Sequence, residues 1–148
     1  MPDETPYLVR VGELQEAAAK LLFTGLPSEG WQRYELSYME AGPVGEIVSE
    51  VEDDAGGKTR VPAPKTLNNL LKQLRAEMAT PGKGAWLSAH ITVERSGDYK
   101  FFYNYDERPQ WRFAPTDDGY IEDLQQYPRS PQSIPDWYPR SAQPRNGD

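Results

Sequence analysis

Chemistry in this chain would have to be built around a single histidine, His90. No arrangement that needs two histidines, and no histidine-rich metal site, can be assembled from it. A lone histidine on a strand reads as a hydrogen-bonded structural residue. Acidic residues cluster at Asp53-Asp54 and at Asp117-Asp118 with Glu122 and Asp123. Divalent cations need several carboxylates at defined spacing, and neither group matches D-x-[DN]-x-[DN]-G. They read instead as a solvated loop and a helix N-terminus, where the dipole favours acids. Gly56-Gly57-Lys58-Thr59 is similar to the end of a phosphate-binding loop. The pattern needs glycine where Glu52 stands, and Pro62 and Pro64 follow instead of a helix. Asp106 and Glu107 are neighbours on a strand and so point to opposite faces, which separates them as a catalytic pair. With no cysteine, disulfides, thiolate metal sites and cysteine nucleophiles are excluded. The residues predict no catalytic centre, no metal and no cofactor.

Recognition is a different matter. Glu46, Glu50 and Glu52 fall on one face of a strand, with Glu35 on the strand before and Asp53 and Asp54 in the loop after. Such a stripe is by default a solvated strand face; its other reading is a surface for a basic partner. Trp86 and His90 share a strand face with Glu94, and Trp111 lies beyond the next strand, so both tryptophans join the set as anchor candidates. Sixteen Lys and Arg against 23 Asp and Glu give a net charge of −7. That charge repels nucleic acid, whose binding needs basic side chains to displace counterions. It steers basic proteins in. The default reading of an acidic surface is solubility alone.

These residues need a scaffold, and 148 residues suit one domain with a real core. Leu14, Ala17 or Ala18, Leu21 and Leu22 predict a helix over 11–24, stopped by Gly25 and Pro27. Alternation predicts a strand over 31–39 with Tyr34, Leu36 and Tyr38 inward, then a turn at Ala41-Gly42-Pro43 and a strand over 45–52. Leu67, Leu70, Leu71, Leu74 and Met78 stripe a helix from Thr66, its expected N-cap, to about residue 79; Arg75 falls off that stripe. Residues 84–115 read as an aromatic hairpin turning at Ser96-Gly97, with Leu87, Ala89, Ile91 and Val93 on one face and Trp86 and His90 on the other. A short edge strand is predicted at 111–113 and a helix at 120–126, capped by Asp117 or Asp118. Pro128, Pro131, Pro135, Pro139 and Pro144 make the ending irregular, with Ile134, Trp137 and Tyr138 as anchors and disorder after about residue 140. The expected architecture is α+β: an antiparallel sheet of four to five strands on two or three helices, with a proline-rich tail. One domain over 1–140 and a disordered tail over 141–148 follow. The first residues lack the pattern of a signal peptide, and no apolar run reaches the ~20 residues of a membrane span. The reading is a cytoplasmic protein.

The ordered signals resemble the YezG-like immunity proteins of bacterial polymorphic toxin systems. The likeness is carried by GLPSEGWQRYELSYMEAG at 25–42, LLKQLRAEM at 70–78, GAWLSAHITVERSGDYKFFYNYDERPQW at 84–111, YIEDLQQYPR at 120–129 and IPDWY at 134–138. It implies a cytoplasmic antitoxin, most simply a monomer, that binds the toxic C-terminal domain of a cognate toxin and blocks it without catalysis. No direct nucleic acid or membrane partner is implied. Against it stand a small-ligand or other protein-binding domain, and a hydrolase built on Asp106 and Glu107.

Overall fold

The computed structural model describes residues 6–139. Over these residues the fold is α+β, with a five-stranded antiparallel sheet and three α-helices. In sequence these are α1 (Tyr7–Thr24), β1 (Trp31–Ala41), β2 (Val44–Asp53), β3 (Lys58–Arg60), α2 (Leu67–Met78), β4 (Ser88–Glu94), β5 (Tyr99–Asn104) and α3 (Asp117–Gln126). The strand order is β3-β2-β1-β4-β5, so β2, β1 and β4 are interior and β3 and β5 are edges. Among the described residues no helix is long and apolar enough to cross a membrane. The disorder expected beyond residue 140 lies outside the described residues.

Two compact units divide the chain: residues up to 37 with 47–78 and 90–102, and residues 38–46 with 79–89 and 103 onward. In the first, the buried set comes from α1 (Val11, Ala18, Ala19, Leu22), α2 (Leu67, Leu71, Leu74), β1 (Trp31, Tyr34, Leu36) and β4 (Ile91, Val93). These are largely the positions that helical and strand spacing select. Each fully buried leucine contributes roughly 1.5–3 kcal/mol. α1 starts earlier than its stripe predicts, at Tyr7, with Pro6 at the N-cap position and its carbonyl accepting the Val9 and Arg10 N–H groups at 3.0 Å. Arg10 on α1 donates through Nε to Glu77 on α2 at 2.7 Å. Arg75, expected off the apolar stripe, is instead fully buried.

β3 is an element the sequence reading treats as loop. Asp53 makes it: one carboxylate oxygen accepts the N–H groups of Ala55 and Gly57 at 2.9 and 2.8 Å, with Gly56 at φ +90°. The tight turn returns the chain antiparallel to β2, pairing Glu50 with Arg60 and Glu52 with Lys58.

In the second unit Ala41, Leu87, Tyr120 and Tyr138 form a buried cluster, packed by Trp111, Leu124, Ile134 and Trp137. The proline-rich segment is thus anchored by the three residues expected to do so. Two expectations fail here. Trp86 does not share an outer face with His90: it is fully buried, edge-on to Tyr38 at 6.0 Å and beside Tyr103 at 5.4 Å. β4 begins only at Ser88, so strand alternation does not reach back to it. Nor do residues 111–113 form a strand. The N–H groups of Arg112 and Phe113, which a ladder would use, go to the Glu46 carboxylate at 2.9 and 3.0 Å. α3 begins three residues before its predicted start, with Thr116 at the N-cap position and Asp117 and Asp118 in its first turn.

Candidate functional site

Alternation puts Arg33, Glu35 and Ser37 of β1 opposite the buried Tyr34 and Leu36, and His90 and Glu94 of β4 opposite Ile91 and Val93. On this outer face of the first unit the side chains meet in ion pairs. Arg33 Nε reaches Glu94 at 2.8 Å, and that carboxylate, by bond and by charge, holds the guanidinium's pKa above its usual value. Glu35 sits among three bases: Arg33 at 4.0 Å, Lys58 at 4.0 Å and His90 Nε2 at 3.6 Å. Register on β2 and β3 sets Lys58 against Glu52 and Arg60 against Glu50. Asp54 accepts a hydrogen bond from Gln32. The stripe that the sequence presents as acidic is therefore a mixed-charge surface.

His90 also turns Nδ1 to within 3.2 Å of Ser37 Oγ, so Ser37, His90 and Glu35 stand in a row. No local motif marks this row, because Ser37 and His90 are 53 positions apart and only the β1–β4 pairing joins them. Hydroxyl, imidazole and carboxylate are the ingredients of nucleophilic catalysis. β1 and β4 are both interior strands, so their N–H groups serve the sheet ladders. The row joins β1 and β4 on the outer face of the sheet.

Glu46 departs from its expected companions. It belongs to the second unit, its side chain is 8% exposed, and it is enclosed by the segment it binds. Besides the two N–H groups, Arg112 Nε donates to it at 3.3 Å. Burial pushes its pKa up, but the bonds from Arg112 and Phe113 and the charge of Arg112 outweigh that and hold it below the usual carboxylate range. Trp111 is half-buried and donates its indole N–H to the Tyr120 hydroxyl at 2.8 Å. Trp86, Trp111 and Glu46 thus serve the interior of the second unit, whereas Glu35, His90, Glu50, Glu52 and Asp54 gather on the sheet face of the first. Asp53 closes the turn beside them.

The second unit holds several polar side chains that the sequence left unmarked. Arg129, its side chain 3% exposed, donates to the carbonyls of Ser133, Ala85 and Tyr105 at 2.9, 3.1 and 2.8 Å. Gly84 beside it has φ +77°, and a Cβ there would meet Arg129 Cγ at 2.7 Å. Asp123, expected in a solvated cluster, is buried and accepts the Gly42 N–H at 3.0 Å. Asn104 caps the Asp106-Glu107 corner through both its oxygen and its nitrogen. Arg108 lies 4.6 Å over the Trp137 ring, whose N–H bonds Asp106 O at 2.7 Å. Proline and glycine neighbours were the available clue, since an irregular buried backbone needs side chains to satisfy it. The comparison with protein-family models returns no match, and neither does the comparison with curated protein sequences.

Proposed function

We propose that this chain is an immunity protein that binds the toxic C-terminal domain of a cognate bacterial polymorphic toxin and neutralises it by covering it, without catalysis of its own. One observation supports this reading above the others: the outer sheet face of the first unit presents charged side chains of both signs beside one another, with Arg33 on Glu94 at 2.8 Å and Glu35 within 4.0 Å of Arg33, Lys58 and His90. A surface that carries both signs in a set pattern favours a partner of complementary charge and rejects others. The net charge of −7 favours a basic partner and disfavours nucleic acid. The order of motifs that resembles the YezG-like proteins points the same way, and with it a cytoplasmic site of action.

The test is co-expression with the C-terminal domain of a secreted toxin encoded beside this chain. Growth is rescued by the wild-type chain, and rescue weakens when Glu35→Lys and Glu52→Lys are combined. Continued killing with soluble wild-type protein contradicts the proposal.

A further inference from the structure

A cavity of about 480 Å³ opens in the first unit, between the end of α1, the start of β1 and the segment after β3. Its size lies within the ~300–1,000 Å³ of small-molecule sites. Leu22, Leu26, Trp31, Tyr34, Val51 and Pro64 give it an apolar lining. The walls are set before any ligand arrives. The Trp31 indole N–H is spent on Pro27 O at 2.6 Å, and its ring is held edge-on to Phe23 at 5.9 Å. Pro27, Pro62 and Pro64 fix their φ angles and bring no N–H group to the lining. Tyr34 contributes ring surface, and burial pushes its phenol above the usual range. The residue of this lining that carries a charged side chain is Glu29, exposed on the loop between α1 and β1.

We infer that this cavity is a binding site for a small aryl-alkyl amine, its ring in the apolar cavity and its ammonium against the Glu29 carboxylate. The apolar lining selects the ring. The single acidic group sets the order among otherwise equal ligands: cation first, neutral molecule second, anion last. An exposed ion pair is weak, so the preference for the cation over its neutral isostere is about fivefold and is screened by salt. This site is separate from the charged sheet face, and the inference stands whether or not the chain is an immunity protein.

Three probes of equal ring size test it on the full chain: 2-(1-naphthyl)ethylamine, 1-ethylnaphthalene and 3-(1-naphthyl)propanoate. Binding is followed by amide and Trp31 indole chemical shifts. The expected result is saturable binding in that order, with shifts centred on Trp31. Glu29→Gln, an exposed substitution that leaves the fold intact, collapses the order while keeping binding of the neutral probe. Ala63→Trp, which fills the cavity from its loop side, removes binding of all three. Absence of saturable binding, the same order in Glu29→Gln, or undiminished binding in a folded Ala63→Trp variant would each overturn the assignment.

Discussion

Two sets of polar side chains, one in each unit, are used in opposite directions, although the first unit also buries Arg75. In the second, Arg129, Asp123, Asn104 and Glu46 turn toward backbone groups and close an irregular, proline-rich structure. In the first, Arg33, Glu35, Lys58, His90 and Glu94 turn outward and satisfy one another across strands. The same residue types therefore mean different things. An inward group bonded to carbonyls or amides is committed to the backbone, and its loss leaves those groups unsatisfied. An outward pair in water is worth little to stability and can be exchanged for a partner's charges at small cost.

That contrast is most severely tested at Arg129. Arg129→Ala leaves three carbonyls short of a donor, and the expected loss is about 3 kcal/mol or more in urea denaturation. Arg129→Lys recovers only part, because one ammonium cannot reproduce the guanidinium fork. A loss near zero would erase the distinction between the units. Glu46→Gln comes next, at roughly 1–2 kcal/mol at neutral pH, since an amide cannot accept from Arg112 and Phe113 as a carboxylate does. Because the folded pKa of Glu46 is depressed, its contribution is present above the unfolded value of about 4.3 and is lost as pH falls through the lower folded value. Acid titrations of stability are accordingly flatter in Glu46→Gln.

Tyr34 sharpens the comparison from the first unit's interior. Its hydroxyl is buried without a hydrogen bond of ordinary geometry. The nearby Ser49 hydroxyl draws the phenol's pKa partly back down, yet it gives its own proton to Val61 O at 2.7 Å. Tyr34→Phe is therefore neutral or stabilising by up to about 1 kcal/mol, read as a rise in thermal midpoint. The raised folded pKa makes the neutral phenol's contribution complete below about pH 10, and it is lost as pH rises through the folded value. Tyr34→Phe consequently resists alkaline unfolding better than the wild type. The smallest effect belongs to the outer face: Glu35→Gln or His90→Ala shifts stability by less than about 0.5 kcal/mol in the same assay. A larger loss would make that face structural as well.

The fold was legible wherever apolar periodicity ruled. The stripe of Leu67, Leu71 and Leu74 and the alternation of Leu87, Ala89, Ile91 and Val93 were found buried as their spacing requires. Periodicity gave no notice of β3, because three charged or polar residues become a strand only when the Asp53 turn delivers them to β2. It misplaced Trp86, which lies before β4 and outside its alternation. The charged face was half legible. Glu35, Glu50 and Glu52 were visible as a row, but the bases facing them arrive by strand pairing across the sheet. Arg129 and Asp123 were hidden because a buried polar residue carries no periodic mark. It is identified by the backbone groups left without partners around it.

Affinity for the toxin domain, measured by calorimetry across a salt series, tests the central claim most directly. The toxin domain is first inactivated at its own catalytic residue, and the titrant is either the wild-type chain or the folded variant combining Glu35→Lys with Glu52→Lys. The account predicts wild-type binding that weakens with salt and a variant that binds at least about tenfold more weakly, as reversed charges at a matched interface imply. Equal affinity of the two chains at every salt concentration would contradict it.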